Sequence, residues 1–155
     1  MTMLAENLCR EIKSNFRFFQ YLDDSERVVV GRYLECCEVP AGTVLWQEGD
    51  ESDAAAFVVE GKIEVKKATE FEDKHVIVGI YAEGSVVGEL CLFSGDNRAE
   101  TATALTNARL LKINDKNFEA LLKEHPVIGG KLLKGMFLAV ARRLRKSFER
   151  LAAVF

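Results

Sequence analysis

Residues 84–102 hold the side chains of this 155-residue chain whose types and spacing could do chemistry. Gly88 directly precedes Glu89, Leu90, Cys91, Leu92 and Phe93. A glycine there lets backbone approach a bound group at the start of a short helical turn, whose free N–H groups suit an anion. Arg98 follows, just ahead of a strand-like run from Thr101 to Leu105. Its planar, permanently charged fork is suited to a phosphate held between strands. Glu89 only accepts hydrogen bonds when ionised, so it suits a ribose hydroxyl rather than a phosphate. The same two side chains could instead pair with each other and close the loop.

Little else in the chain is arranged for chemistry. Cys9, Cys36, Cys37 and Cys91 form no CxxC pair, and His75 and His125 are far apart in sequence. That spacing gives neither a zinc cage nor the metal set of a cupin, and the cysteines read as small hydrophobes in a reducing compartment. No nucleophile stands near a plausible base, so the chain is expected not to be an enzyme and to carry no metal and no cofactor.

The elements that must position residues 84–102 fall into three zones. Over 1–35 the period is helical: Leu4, Leu8, Ile12 and Phe16 recur every four residues, and Asp23, Asp24 and Ser25 can cap a second helix running through Val30 and Leu34. Over 36–114 short apolar or alternating runs take over, at Val39, 43–46, 57–59, 63–65, 76–81, 86–87, 101–105 and 110–113. Gly, Pro and Asx turns separate them about every ten residues. Eight short strands imply a mainly β protein, a jelly-roll barrel. Over 115–155 the helical period returns, with Asp115 as N-cap, Phe118, Leu121 and Leu122 on one face, and Pro126 at a helix boundary. Leu133, Met136, Phe137, Val140, Leu144, Phe148, Leu151 and Phe155 then form a long stripe spaced by threes and fours. No linker divides the chain, and one domain over 1–155 is expected.

Composition agrees. The chain is 48% hydrophobic with a net charge of −3, far from the signature of a disordered chain. No apolar run reaches the roughly 20 residues a spanning helix needs, and the N-terminus lacks a signal-peptide block, so a cytoplasmic protein is expected, off the membrane. Charge is uneven, however. From Lys131 onward there are seven basic residues, Lys131, Lys134, Arg142, Arg143, Arg145, Lys146 and Arg150, against the single acid Glu149. Such a face could meet nucleic acid or an acidic partner, although on a strongly periodic segment a solvated helix face is the commoner case.

The motifs taken together resemble the cyclic-nucleotide-binding domains of the catabolite activator protein, the protein kinase A regulatory subunits and the cyclic-nucleotide-gated channels. Gly88 to Leu92 and Arg98 to Ala102 occupy the places of that family's phosphate-binding cassette, here spanning 84–102. The segments 40–50 and 57–65 look like its two glycine-rich hairpins, and 110–113 onward like its last strand and lid helices. The likeness covers about residues 16–150. It implies a β jelly roll (double-stranded β-helix) with N-terminal helices and C-terminal lid or dimerisation helices. It further implies that Arg98 pairs with the cyclic phosphate and Glu89 with the ribose 2′-hydroxyl. Gly88, Leu90, Cys91 and Ala99 would complete the cradle, and alanine at 99 leans toward cyclic AMP over cyclic GMP. Two residues depart from the pattern. Asn97 replaces a frequent proline, and Glu100 stands where a small residue is usual. A Glu100 carboxylate turned to the phosphate would repel it; turned outward it would leave binding intact.

The expected function is a regulatory sensor module binding cyclic AMP or cyclic GMP. The long terminal helix would act as a lid, with Phe137, Val140 or Arg142 capping the base, or Arg143 or Arg145 stacking on it, or would pair with a second copy as a homodimer. Because the sequence ends at Phe155, no recognition helix follows, so direct sequence-specific DNA binding is not expected and output would pass to an unidentified protein partner. The alternative is a ligand-free interaction scaffold of the same fold with a degenerate pocket.

Overall fold

The structure is a computed structural model and describes residues 16–155. The first expected helix, at Leu4, Leu8 and Ile12, lies outside the described residues. Eight strands form where the short apolar runs predict them: β1 (Glu35–Val39), β2 (Val44–Trp46), β3 (Ala54–Glu60), β4 (Ile63–Ala68), β5 (His75–Tyr81), β6 (Val86–Val87), β7 (Thr101–Ala104) and β8 (Ala108–Asn114). They make two antiparallel four-stranded sheets, ordered β1-β8-β3-β6 and β2-β7-β4-β5. β5 forms one edge of the second sheet. At a bulge in its pairing with β4, register passes from Val65↔Gly79 to Lys66↔Ile77 and Val78 is left over.

A strand buried on both faces needs an unbroken apolar run, and β3 has one. Ala56 and Val58 point into the core between the sheets, with Ile63, Val65, Val87, Ala102, Ala104 and Leu110. The alternate residues Ala55, Phe57 and Val59 face the helices, where they meet Phe18, Phe19, Leu111, Ile113, Phe118, Leu121, Leu132 and Met136. One strand thus joins two cores.

The helices cover the outer face of the first sheet. A 3-10 turn (Arg17–Phe19) leads to α1 (Asp24–Gly31), opened by a capping box: Asp23 Oδ1 accepts from the Glu26 N–H at 2.8 Å, and Glu26 Oε1 from the Asp23 N–H at 3.1 Å. The Glu26 N–H, and after it the Ser25 hydroxyl, which donates to Asp23 Oδ1 at 2.7 Å, hold the Asp23 carboxyl below its usual range. α1 stops at Gly31 instead of running through Leu34, because β1 must begin at Glu35 to pair with Lys112. The cassette contains α2 (Cys91–Ser94), and α3 (Asp115–Glu124) and α4 (Pro126–Val154) close the chain. The cap of α3 is Asn114, not Asp115: Asn114 Oδ1 accepts from the Asn117 N–H at 2.7 Å, and Asp115 is the first helical residue. Pro126 opens α4, where its missing N–H costs nothing. α4 crosses the 3-10 turn at Gly135, where any Cβ would strike the Phe18 carbonyl. Lys131 pins it to α1 through Glu26 at 2.8 Å. Beyond Arg143 every α4 side chain is exposed. No helix among the described residues is long and apolar enough to cross a membrane.

Candidate functional site

The β6–β7 connection is built on one positive-φ glycine and one buried arginine. Gly88 has φ 69°, and a Cβ there would meet Arg98 Nη1 and come within 2.8 Å of the Trp46 ring. Glycine is required on both counts. Immediately after it the chain turns into α2, closed by Gly95 in the left-handed region. The return leg is tied to the β2–β3 loop through its backbone. The Gly49 N–H donates to the Arg98 carbonyl and the Arg98 N–H to the Asp50 carbonyl, both at 2.8 Å. Lys67 Nζ donates to the Ala99 carbonyl at 2.9 Å and pairs with Glu48 at 3.2 Å. The turn at Glu48, Gly49 and Asp50 therefore serves to fix where Arg98 sits.

Arg98 is 6% exposed. Nη2 donates to the Ala54 carbonyl at 2.6 Å and pairs with Asp53 Oδ1 at 3.2 Å; Nη1 is 3.4 Å from the Gly88 carbonyl, and the guanidinium lies 3.8 Å over the Trp46 ring. The Asp53 side chain is itself 87% exposed, so water screens the one carboxylate that faces this buried cation. Nε is buried and finds no hydrogen-bond partner among the described residues. A buried guanidinium with one screened counter-charge and one orphan donor retains the capacity to hold a further acceptor or anion.

Glu89 does not pair with Arg98. Its Oε1 is 3.3 Å from Nη1 of Arg143 on α4, whose Nη2 also donates to the Val86 carbonyl and whose guanidinium lies 4.2 Å over the Tyr81 ring. Arg143 thus fastens α4 to both the cassette and β5. Between Arg98 and Arg143 opens a cleft of about 180 Å³. Gly88, Glu89, Leu90, Cys91, Arg98 and Ala99 all line it, so the six cassette residues singled out from sequence converge. Glu100 lines it too. Burial raises the Cys91 thiol above its ordinary range, more than Arg98 lowers it, so it is a small hydrophobe in the cleft wall rather than a thiolate.

Of the residues read as capping or stacking on the base, Arg143 lines this cleft and Phe137, Val140, Arg142 and Arg145 do not. Phe137 and Val140 line a neighbouring apolar groove with Leu90, Phe93, Leu133 and Met136, and Arg142 lines a groove on the other side of α4. One residue on, a helix turns about 100°, and that rotation brings Arg143 to the cleft. Sequence reading also missed Trp46, Asp53 and Tyr81, which arrive from β2, the β2–β3 loop and β5 respectively. The single tryptophan, placed just before the conspicuous glycine turn, was the available signal.

An antiparallel eight-stranded roll whose longest connection folds around a buried arginine is the architecture of a β-roll binding module. The chain belongs to the cyclic nucleotide-binding domain family, whose model matches residues 36–125. It is 36% identical over 118 residues to a lysophospholipase of Aspergillus terreus, a match spanning 76% of this chain and 7% of that protein. It is 33% identical over 110 residues to a cyclic nucleotide-gated potassium channel of Mesorhizobium japonicum, covering 71% of this chain and 29% of the channel. The crystal structure of a cyclic nucleotide-binding domain from Methylobacillus flagellatus superposes with a TM-score of 0.86 at 20% identity, over 97% of this chain and 86% of that one. That likeness shows a shared fold. The sequence matches reach only a small part of the lysophospholipase and under a third of the channel.

Proposed function

We propose that this domain is a cyclic-nucleotide sensor, with cyclic AMP preferred to cyclic GMP, and that it has no chemistry of its own. Arg98 takes the cyclic phosphate, Glu89 the ribose 2′-hydroxyl, and the backbone of Gly88, Leu90 and Ala99 completes the cradle. Ala99 supplies no hydroxyl, which is the basis for the lean toward cyclic AMP. The observation that carries the reading is the buried Arg98 guanidinium, whose Nε lacks a partner among the described residues.

Signalling follows from the cleft's size. At about 180 Å³ it falls below the roughly 300 Å³ at which ligand pockets begin. Arg143 lines it and occupies Glu89. A nucleotide that takes Glu89 therefore has to displace Arg143, which unfastens the C-terminal half of α4 from the cassette. The freed segment, with Leu144, Phe148 and Leu151 exposed, then meets a protein partner or a second copy.

The test is titration calorimetry of protein stripped of endogenous ligand by unfolding and refolding, against cyclic AMP and cyclic GMP in parallel. Arg98→Ala is expected to weaken binding by about 2–3 kcal/mol, the scale of a lost charge-assisted hydrogen bond, with an unchanged circular dichroism spectrum. Equal affinity in parent and variant overturns the site. A second reading, the ligand-free scaffold, is favoured by Glu100 in the cleft wall and by the internal partners that Arg98 and Glu89 already have. A folded parent that binds neither nucleotide establishes it.

A further inference from the structure

On the side of α4 away from the apolar groove lies a larger depression of about 940 Å³, walled by the end of β5, the β5–β6 turn and the C-terminal half of the helix. Five cations line it: Arg17, Arg142, Arg143, Lys146 and Arg150. The side chains of Arg17, Arg142 and Lys146 make no hydrogen bond or ion pair among the described residues, and Arg150 reaches only the Ser147 hydroxyl, at 3.4 Å. The two acids on the rim, Glu83 and Glu149, do not balance them, and Glu149 is drawn along the helix to Arg145 at 3.6 Å. Ile80, Ala82, Ala139 and Ala153 give the groove an apolar lining.

We infer that this groove docks an acidic protein segment. Arg142, Lys146 and Arg150 recur every fourth residue, so they form a row on one helix face with charges about 6 Å apart. Carboxylates on alternate residues of an extended chain are about 7 Å apart, so such a segment lying along α4 meets one cation per acidic side chain. The apolar lining then receives its aliphatic stems. Single-stranded nucleic acid has a similar charge spacing but relies on aromatic stacking platforms. The single aromatic ring in the groove's lining, Tyr81, is already covered by Arg143 at 4.2 Å. A flat anionic membrane does not reach the floor of a groove walled by strand, turn and helix. Docking does not require bound nucleotide, and its test omits nucleotide.

The experiment is fluorescence anisotropy with a fluorescein-labelled peptide of alternating Glu and Ser, about ten residues long. A Gln/Ser peptide, an oligothymidine of similar length and phosphatidylserine-containing vesicles serve as the other arms. The Glu/Ser peptide is expected to bind most tightly of the four, and more weakly as salt rises. Lys146→Glu with Arg150→Glu, both exposed positions, is expected to weaken it at least about tenfold with an unchanged circular dichroism spectrum, and to bind an alternating Lys/Ser peptide better than the parent does. Tighter binding to oligothymidine or vesicles than to the acidic peptide overturns the inference. So does equal peptide affinity in parent and charge-reversed protein.

Discussion

Glu89 and Glu100 line one cleft with one buried guanidinium, and their surroundings separate what each contributes. Glu89 is held by Arg143, so its charge is matched whether a ligand hydroxyl or the helix occupies it. Glu100 has no ion pair among the described residues and adds an unmatched negative charge beside the proposed phosphate position. At an effective dielectric between protein and water, one such charge near the phosphate is worth roughly 1 kcal/mol. Glu100→Ala is therefore expected to tighten nucleotide binding roughly fivefold by calorimetry, and a loss of affinity would mean that the carboxylate holds the cassette in shape. Gly88, Glu89 and Arg98 were legible in the sequence because they lie within one short connection, where spacing alone implies proximity. Asp53, Trp46 and Tyr81 were not, because each is brought in by a different strand or loop and chain order carries no trace of that meeting; Arg143 was named only as one of several candidates on the terminal helix, since the sequence does not fix which helix face meets the cleft.

Elements were easier to read than their ends. All eight strands appear at the expected places, since alternation and glycine turns are local signals, but β3 runs over Ala54–Glu60 where only 57–59 was expected, and its burial on both faces was not read. Ends follow from competition between neighbours. α1 yields Leu34 to the approach of β1, and the start of α3 falls to Asn114 because β8 still needs that residue to pair with Ala54. Asn114 therefore serves two elements at once, ending β8 and capping α3 through the Asn117 N–H. Asn114→Ala is expected to lower stability by about 1 kcal/mol in urea denaturation, whereas Asp115→Asn, which keeps the cap intact, is expected to cost less. The reverse order would return the cap to Asp115. The 3-10 turn and the α4 crossing at Gly135 were invisible beforehand, because a glycine within a helical stretch does not announce that another backbone approaches it.

Across the whole molecule, the proposed nucleotide cleft and the basic groove have one cation in common. Arg143 lines both, bonded to Glu89 on one side and standing beside Arg142 and Lys146 on the other. A nucleotide that takes Glu89 releases the Arg143 guanidinium toward the groove and adds a charge to the row that faces an acidic segment. Binding at the two sites is then coupled, and by linkage each ligand changes the other's affinity by the same factor. Saturating cyclic AMP is expected to tighten the Glu/Ser peptide by roughly fivefold in anisotropy, and saturating peptide to tighten cyclic AMP equally in calorimetry. Arg143→Ala removes the shared group, so both ligands are expected to bind it with no effect on each other. Coupling of undiminished size in Arg143→Ala would place the link elsewhere in α4, and an absence of coupling in the parent would make the groove a constitutive dock.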